Sequence, residues 1–276
     1  MSRPVASVIV TTYNQPRWLQ RCLWGFACQD RHDFELVVAD DGSGPETRVL
    51  VEAMQSQAPF ELRHVWQPDE GFQKCRILNK AIVQARADYL VFTDGDCVPR
   101  ADFLSQHLCL REPGRFLSGG YCKLPMQVSE RIDREAIASG RFANLQWLSA
   151  QGLARGQRSS KLWPLHPWQA RLMNAITPVK PRWHGHNASA WAADVRRVNG
   201  FDERMQYGGE DLEFGERLEN AGVRGRQARH SAIVVHLDHG RGYVDPAMRE
   251  RNEAIRHATR SQRRTRTEHG IAKPAA

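Results

Sequence analysis

The sequence predicts an α/β protein whose core is a doubly wound, mostly parallel sheet flanked by helices. Short runs of β-branched and apolar residues alternate with stretches of helical periodicity between residues 6 and 93. This alternation is typical of parallel strands joined by crossover helices. Polar and acidic side chains follow several of these runs, and ligands of such sheets bind at the carboxyl ends of the strands. The two observations predict the fold class and the edge of the sheet that holds the site.

Four strands and three helices are predicted in the first half of the chain. The strands are short apolar or β-branched runs, at residues 6–12, 34–39, 61–66 and 89–93. The first helix begins at Pro16, a residue suited to the first position of a helix. The other two cover residues 49–57 and 75–85, where apolar residues recur at helical spacing. Strand and helix therefore alternate in the order that a parallel sheet requires.

The second half of the chain predicts a change of architecture near residue 125. Residues 126–181 have the periodicity of a helical insert interrupted by prolines, and strand character returns at residues 188–192 and 232–235. A Gly-rich acidic turn between those strands leads into a helix over residues 212–220. We expect one compact unit that contains a helical insert and continues into a basic segment from residue 246.

Composition excludes several classes of protein. Hydrophobic residues make up 41% and charged residues 25% of the 276 residues, as in ordinary globular proteins. No run approaches the roughly 18 apolar residues of a membrane helix, and we expect no signal peptide because a predicted strand begins close to the N-terminus. The six cysteines form no CxxC pair, which argues against a zinc site or a disulfide framework. We therefore expect a cytoplasmic protein with reduced cysteines.

The net charge of +8 arises partly from residues 249–273. Such a segment can be a solvated helix, a contact with an anionic membrane surface or a site for nucleic acid. No aromatic residues alternate with its arginines, as the stacking of bases would require. We expect no nucleic-acid partner, while a solvated helix and peripheral contact with the inner face of a membrane both stay open.

Asp94 and Asp96 flank Gly95 directly after the fourth predicted strand. Two carboxylates on so tight a turn converge on one point only if their repulsion is relieved, and a divalent cation relieves it. An ordinary turn is the alternative. The position at the carboxyl end of a strand favours a site for Mn²⁺ or Mg²⁺ that also contacts substrate phosphates.

Further polar residues are expected at the same edge of the sheet. Asp40 and Asp41 follow the second strand, where an acidic side chain can accept hydrogen bonds from a ribose or a base, or can simply cap a turn. Tyr13 and Asn14 follow the first strand. These residues predict a nucleotide-like ligand beside the metal.

Cationic and amide side chains follow Gly71, where they can compensate the negative charge of a diphosphate. These residues are Lys74, Arg76, Asn79 and Lys80. Lys74 and Lys80 can also form a solvated helix face, so we favour Arg76 and Asn79 as ligands.

Two constellations in the second half complete the predicted site. Gly208 and Gly209 allow the backbone to approach a ligand closely. Glu210 and Asp211 follow them at a helix start, where carboxylates can cap the helix or act as acid and base. The run from His236 to His239 follows the last predicted strand, and a histidine there can complete the metal shell or be structural.

With these residues in place, the chain resembles the family 2 glycosyltransferases with the GT-A fold, a Rossmann-like sheet with a helical acceptor-side insert. The resemblance covers residues ~5–240, except for a poor match over ~125–180. Its C-terminal motifs look like the module shared with β-1,4-galactosyltransferases and polypeptide N-acetylgalactosaminyltransferases. The matching motifs occur in order at residues 7–14, 40–43, 76–81, 92–96, 199–203, 208–211 and 236–239.

The resemblance implies an inverting, metal-dependent hexosyl- or N-acetylhexosaminyltransferase. Its donor would be a nucleotide-sugar, commonly a UDP-sugar, and its acceptor a hydroxyl of a cell-surface polysaccharide, lipopolysaccharide or lipid-linked glycan. Residues 1–125 would form the nucleotide-sugar-binding half, residues 126–245 the acceptor-binding and catalytic half, and residues 246–276 a basic helix or tail. The insert carries Trp147, Trp163, Trp168 and Trp183, which we expect to form an acceptor platform because aromatic faces stack on sugars.

The same resemblance implies a role for each motif residue. Asp96 would bind the metal with His236, or with His239 as the rival, and Asp94 would orient the sugar or ribose. Asp211 would be the catalytic base and Glu210 would place hydroxyl groups. The remaining donor contacts would come from Thr11, Tyr13, Asn14, Asp40 or Asp41, Arg76, Asn79, Gly95, Asn187 and Gly209. Leu78 stands where many members carry an arginine, which leaves the diphosphate contacts open.

Two other functions fit parts of the sequence. A nucleotidyltransferase also pairs carboxylates with Mg²⁺, but it would carry a Gly-rich phosphate loop after the first strand, where Tyr13 and Asn14 stand instead. A non-catalytic basic binding protein would need neither Asp96 nor Asp211. The ordered motif set favours the transferase.

Overall fold

The computed structural model describes residues 3–154, 156, 159–240 and 245–273. Eight strands within these ranges form one sheet in the order β3-β2-β1-β4-β7-β6-β8-β5. The strands are β1 Ser7–Thr12, β2 Glu35–Asp40, β3 Glu61–Trp66, β4 Tyr89–Asp94, β5 Cys97–Pro99, β6 Arg115–Lys123, β7 Asn187–Trp191 and β8 Arg224–His236.

The first four strands are parallel, as the sequence predicts. Their register places Thr11 opposite Asp94 and Thr12 opposite Asp40, so the polar residues that follow each strand meet at one edge. Three helices connect these strands, α1 Pro16–Ala27, α2 Pro45–Gln55 and α3 Lys74–Gln84. The second begins at Pro45 rather than at residue 49, because proline at its start and Glu46 in its first turn favour a helix N-terminus.

The second half contains the two predicted strands, β7 and β8, and a strand that the sequence analysis missed, β6. β7 runs antiparallel to β4, and β6 lies between β7 and β8. β6 was not predicted because Gly119 and Gly120 interrupt its apolar pattern. They are needed where β6 and β8 shift register, since a Cβ at Gly120 would lie 2.0 Å from the carbonyl oxygen of Arg229. β8 extends well before residue 232 because its polar first half pairs with β6.

The predicted insert is helical, although its helices are short. It contains α5 Met126–Glu130, α6 Arg134–Ala138, α7 Leu145–Ala150 and α8 Pro167–Ile176, with 3-10 turns at Arg141–Ala143 and Ser159–Leu162. The remaining helices are α4 Phe103–Leu110, α9 Ala192–Arg197, α10 Glu210–Asn220 and α11 Pro246–Ser261. No helix in the described ranges combines the length and apolar character needed to cross a bilayer.

The basic C-terminal segment packs against the body of the protein. The hydroxyl of Thr259 on α11 donates to Glu213 on α10 at 2.8 Å, and Glu213 also forms a fully buried ion pair with Arg217. The chain then returns past Asn199, whose amide donates to the carbonyl oxygens of Thr267 and Ala272. The predicted helix is present, but it has buried contacts that a solvated, fraying helix would lack. Residues 274–276 lie outside the described ranges.

Candidate active site

A cavity of about 610 Å³ opens at the carboxyl ends of β1 and β4. Most residues predicted for the site line it, together with several that were not predicted. The lining residues are Thr11, Thr12, Tyr13, Asn14, Gln15, Asp41, Gly71, Phe72, Lys74, Ile77, Asp94, Gly95, Asp96, Tyr207, Glu210, Asp211, His236, His239 and Gly240.

Asp96, His236 and His239 converge on one wall of the cavity. One ligand atom from each lies within 4.8 Å of the other two. The Nε2 atoms of His239 and His236 lie 2.8 and 3.7 Å from Asp96 Oδ2. Burial alone would raise the pKa of Asp96, but the two imidazoles outweigh it and lower that pKa. The structure therefore joins both histidines to the aspartate, where the sequence left them as rivals.

The pairing of β5 with β8 brings these three residues together. Cys97 lies opposite His236 in the sheet, and the backbone N–H of Leu237 donates to the carbonyl oxygen of Asp96 at 2.8 Å. Asp238 points away from the group and forms an ion pair with Lys123 at 2.9 Å. The cluster is thus built from one specific carboxylate and the two histidines that flank Asp238.

Asp94 is held beside this cluster by Thr11 and Lys74. Its Oδ1 accepts hydrogen bonds from the Thr11 hydroxyl at 2.6 Å and from the Lys74 ammonium at 3.0 Å. Burial alone would raise the pKa of Asp94, but the charge of Lys74 and the Thr11 hydrogen bond outweigh it, so the pKa falls below its ordinary value. The backbone N–H of Gly95 donates to the carbonyl oxygen of Thr11 at 2.7 Å and fixes the turn between the two aspartates.

Among the described residues that line the cavity, Lys74 is the one with a Lys or Arg side chain, which corrects our preference for Arg76. Burial alone would lower the pKa of Lys74, but Asp94, Asp211 and Glu210 raise it well above its ordinary value. Arg76, favoured from the sequence, points outward to Glu70 on the surface and does not line the cavity.

Asp211 presents an unshared oxygen at the cavity. Its Oδ2 accepts the backbone N–H of Gly185 at 2.9 Å. Its Oδ1 is buried and has no hydrogen-bond partner among the described residues. A Cβ at position 185 would lie 2.7 Å from Oδ1, so only glycine allows the carboxylate to keep this position. The arrangement leaves one oxygen ready to accept a proton.

The turn that precedes Asp211 is shaped by Gly208 and Gly209, whose φ angles are 106° and 89°. These left-handed conformations favour glycine. The amide of Asn252 on α11 holds the turn by donating to the carbonyl oxygens of Gln206 and Gly208. Gly209 precedes α10 and does not line the cavity.

Glu210 sits at the start of α10 and accepts the backbone N–H of Gly208 at 2.9 Å. Burial and the neighbouring Asp211 raise the pKa of Glu210 to about 7. Two adjacent carboxyl groups therefore differ in their environments, a pattern common where one acts as a base and the other as a hydrogen-bond donor.

The structure distinguishes Asp41 from Asp40. Asp41 lines the cavity, where it accepts the Gln67 amide at 2.6 Å and the Gln73 backbone N–H at 2.9 Å. Burial raises the pKa of Asp41 to about 6, although these hydrogen bonds oppose the shift. Asp40 is fully buried and binds His64 and the Ser43 backbone instead, so it does not reach the cavity.

Tyr13 and Asn14 lie at the cavity mouth as predicted. The Tyr13 hydroxyl donates to Asp69 at 2.8 Å. Asn14 has a φ of 47° and accepts the Gly44 backbone N–H through its side chain. Their contacts organise the loops after β1 and β2 around the cavity.

Two predicted asparagines do not reach the cavity. Asn79 is buried and ties α3 to the loop at Phe201 by hydrogen bonds in both directions. Asn187 is also buried, and it binds His107 and the carbonyl oxygens of Gly120 and Ala232. Both hold elements of the sheet and loops together rather than contact a ligand.

The predicted tryptophan platform does not form at the cavity. Trp183 is fully buried against Phe92 and Phe214, so that part of the prediction is wrong. Trp163 and Trp168 are exposed, but like Trp147 they do not line the cavity.

Sequence reasoning also missed the aromatic pair of Phe72 and Tyr207. Their rings meet edge to face with centroids 5.7 Å apart, and both line the cavity. The glycines beside each of them, Gly71 and Gly208, were the signal that these loops approach a ligand.

Comparison with known proteins agrees with this geometry. Residues 7–110 match the family model described as glycosyl transferase family 2. Residues 178–240 match the model described as the N-terminal domain of galactosyltransferase. The chain belongs to the family 2 glycosyltransferases. The two matches cover the two groups of motifs that form the cavity, so the predicted family is confirmed.

Relatives of this family 2 glycosyltransferase extend beyond its length. Validoxylamine A glucosyltransferase of Streptomyces hygroscopicus subsp. jinggangensis (strain 5008) is 30% identical over 246 residues, covering 83% of this chain and 54% of the relative. This chain thus spans about half the length of that relative.

Solved structures confirm the predicted GT-A fold. Mannosyltransferase PcManGT from Pyrobaculum calidifontis, in complex with GDP-Man and Mn²⁺, gives a TM-score of 0.60 at 21% identity, covering 95% of this chain and 63% of that one. Residues 1–349 of S. aureus TarS, in complex with UDP-GlcNAc, give a TM-score of 0.61 at 18% identity, covering 91% of this chain and 64% of that one.

Proposed function

We propose that this family 2 glycosyltransferase is an inverting, metal-dependent enzyme that transfers a sugar from a nucleotide-sugar to an acceptor hydroxyl. One observation carries the proposal. The Asp96–His236–His239 cluster and the unshared oxygen of Asp211 face the same cavity. A metal-bound diphosphate and an acceptor hydroxyl can therefore approach the same sugar.

The donor set of the cluster fits a transition metal. One carboxylate and two imidazoles suit Mn²⁺ better than Mg²⁺, which prefers oxygen ligands. The structural neighbour PcManGT, in complex with GDP-Man and Mn²⁺, supports this choice. A metal bound by Asp96, His236 and His239 would supply positive charge where the departing diphosphate becomes more negative.

The rest of the donor would be held by side chains from both halves of the fold. Asp41 and Tyr13 line the part of the cavity that follows β1 and β2. There they can accept hydrogen bonds from a nucleoside and donate hydrogen bonds to it. The Lys74 ammonium, fixed by Asp94, is placed to bind a diphosphate oxygen. We propose a UDP-sugar, as in the UDP-GlcNAc complex of S. aureus TarS, although the PcManGT complex holds GDP-Man.

Asp211 is the proposed catalytic base. Its Oδ1 accepts the proton of the acceptor hydroxyl as the hydroxyl oxygen forms a bond to the anomeric carbon. The bond from that carbon to the diphosphate oxygen breaks, and the electron pair leaves with the diphosphate. Attack opposite to the leaving group inverts the configuration. Glu210, with its raised pKa of about 7, would orient a sugar hydroxyl by a hydrogen bond.

The proposal also covers the acceptor and the location of the enzyme. We propose a hydroxyl of a cell-surface glycan or of a lipid-linked glycan, and a cytoplasmic enzyme that contacts the inner face of the membrane. The exposed apolar and cationic residues of the insert support the membrane contact.

Thermal stabilisation by a panel of UDP-, GDP- and dTDP-sugars, with and without Mn²⁺, tests the proposal. We expect one donor to raise the melting temperature only when Mn²⁺ is present. Incubation of that donor with the enzyme should then release the nucleoside diphosphate. A nucleotidyltransferase would instead release pyrophosphate from a nucleoside triphosphate. If none of the donors raised the melting temperature, the proposed function would be contradicted.

A further inference from the structure

The helix α8 exposes an apolar stripe made of Trp168, Leu172 and Ile176. Their side chains are 60%, 51% and 61% exposed. The three residues are four positions apart, so they share one face of the helix. We refer to them as the α8 stripe.

Exposed apolar side chains are concentrated around this stripe. Ten large apolar residues are exposed in the described part of the chain, and five of them lie between residues 163 and 179. The other five are scattered over the first 126 residues. Single exposed apolar residues are normal, whereas a contiguous patch marks a surface that binds something.

The opposite face of α8 is fixed to the sheet. Ala170 and Asn174 are buried, and the Asn174 side chain binds the Ser231 hydroxyl and the His230 backbone N–H on β8. The stripe therefore faces outward because its helix is anchored through the other side.

The surroundings of the stripe are cationic. The sequence contains no Asp or Glu from residue 136 to residue 193, but seven Lys and Arg residues. Arg171, directly before Leu172 on α8, and Arg182, after the end of the helix, are both exposed. Lys180 is also exposed, although it pairs with Glu219. An apolar face with basic flanks complements an anionic membrane surface.

The basic C-terminal segment predicted from the sequence is less suited to contact with an anionic membrane surface. Arg256 on α11 pairs with Glu216 and Glu253, and Arg260 also pairs with Glu253. These ion pairs neutralise part of the charge of α11, whose apolar residues pack toward α10 and the core.

We propose that the α8 stripe inserts into the interface of an anionic phospholipid bilayer. The inference rests on the membrane contact proposed above, and it does not depend on sugar transfer. Trp168 would lie at the level of the headgroups, where indole rings are favoured. Eight residues separate α8 from Gly185, whose backbone N–H donates to Asp211, which lines the cavity, so insertion would hold the site near lipid-linked acceptors.

Sedimentation with vesicles tests the proposal. The full chain is mixed with vesicles of phosphatidylglycerol and phosphatidylcholine, or of phosphatidylcholine alone. We expect sedimentation with the anionic vesicles and weaker binding to the neutral ones. The triple variant Trp168→Ser/Leu172→Ser/Ile176→Ser should bind anionic vesicles about 10-fold more weakly or worse. The matched control Val49→Ser/Val83→Ser, which replaces exposed apolar residues on other helices, should bind like the wild type.

A charge variant extends the test without changing the apolar surface. Arg171→Gln/Arg182→Gln should lower binding to anionic vesicles and leave binding to neutral vesicles unchanged. Circular dichroism melting confirms that each variant is folded, and the donor panel, run without vesicles, tests sugar transfer separately.

Three outcomes would overturn the proposal. The wild type could fail to sediment with anionic vesicles. The triple variant could bind as well as the wild type, with Arg263→Gln/Arg264→Gln losing binding instead, which would assign the contact to the C-terminal segment. Ultracentrifugation could show a wild-type dimer that the triple variant disrupts while neither binds vesicles, which would make the stripe an interface between two copies.

Discussion

The ammonium of Lys74 lies 3.0 Å from Oδ1 of Asp94 within the cavity. Only 16% of the lysine side chain and 26% of the aspartate side chain are exposed. Because both groups are largely removed from water, each depends on the other for charge compensation. The pair also leaves the remaining hydrogens of the ammonium available to a phosphate oxygen.

Replacement of Lys74 should therefore affect both stability and donor binding. Lys74→Met should lower the free energy of unfolding by about 2–4 kcal/mol, because Asp94 loses its partner. It should also weaken the binding of the nucleoside diphosphate at least about 10-fold. Arg76→Met is the control and should change stability by less than about 0.5 kcal/mol, because its ion pair with Glu70 is on the surface. Urea unfolding and nucleotide titration measure both effects, and equal effects of the two changes would refute the assignment.

The contrast between Lys74 and Arg76 also shows what the sequence alone does not determine. Lys74 and Arg76 are two positions apart on α3, so they lie on different faces of the helix. Their spacing does not say which face meets the cavity, because that depends on how the helix packs on the sheet. Asp40 and Asp41 pose the same difficulty, since consecutive residues at a strand end point to opposite sides.

Loss of the Asp96 carboxylate should strongly weaken metal binding. We expect Asp96→Asn to weaken Mn²⁺ binding more than about 100-fold, because changes outside the ligand shell already cost 10–100-fold. Asp238→Asn, between the two histidines but paired with Lys123, should bind Mn²⁺ within about 3-fold of the wild type. Isothermal titration with MnCl₂ gives both constants. Similar losses in the two variants would mean that the cluster is not the metal site.

Asp211 should matter for turnover and not for donor binding. Asp211→Asn should reduce kcat about 10³-fold, within the usual range for loss of a general base, and change the donor Kd by less than about 3-fold. Glu216→Gln on the same helix, where Glu216 pairs with Arg256, should keep kcat. Initial rates of nucleoside diphosphate release measure this split. An Asp211→Asn enzyme with wild-type kcat would exclude Asp211 as the base.

The buried pair of Glu213 and Arg217 should dominate the stability of the C-terminal half. Each side chain is 1% exposed, and Arg217 also donates to the carbonyl oxygens of Val198 and Gly200. Arg217→Met should lower the free energy of unfolding by about 3–5 kcal/mol, because Glu213 becomes an unpaired buried charge. Arg197→Met, which removes a partner of a surface pair, should cost less than about 0.5 kcal/mol. A small loss in Arg217→Met would show that the pair contributes little.

Asp41 should make stability depend on pH. The pKa of its carboxyl is about 6 in the folded protein, against about 4 in an unfolded chain. Between those values the folded state binds more protons, so stability falls as pH rises through this window. Relative to Asp41→Asn, the wild type should lose about 2 kcal/mol between pH 4 and pH 7.

Urea unfolding at several pH values measures this difference. Asp88→Asn, a change to an exposed carboxylate, serves as the control and should follow the wild type across the range. A constant difference between the wild type and Asp41→Asn at all pH values would contradict the shifted pKa.

The first half of the fold could be predicted because local pattern and tertiary position agree there. The parallel strands β1, β2 and β4 are buried on both faces, so each has a largely apolar run of residues. β6 and the first part of β8 lack such a pattern. Gly119 and Gly120 in β6 and the arginines of β8 allow the strands to pair, but they do not form an apolar run. Their existence depends on contacts between distant segments, which local periodicity does not report.

Substitution of Gly185 offers a way to prepare an inactive enzyme with both substrates bound. A methyl group at this position would displace the Asp211 carboxylate, since the added carbon would lie 2.7 Å from Oδ1. Gly185→Ala would leave Asp96, Lys74 and Asp41 in place, so the enzyme could still load its donor. Such a stalled enzyme, with every substrate-binding side chain unaltered, is a suitable trap for crystallising donor and acceptor together.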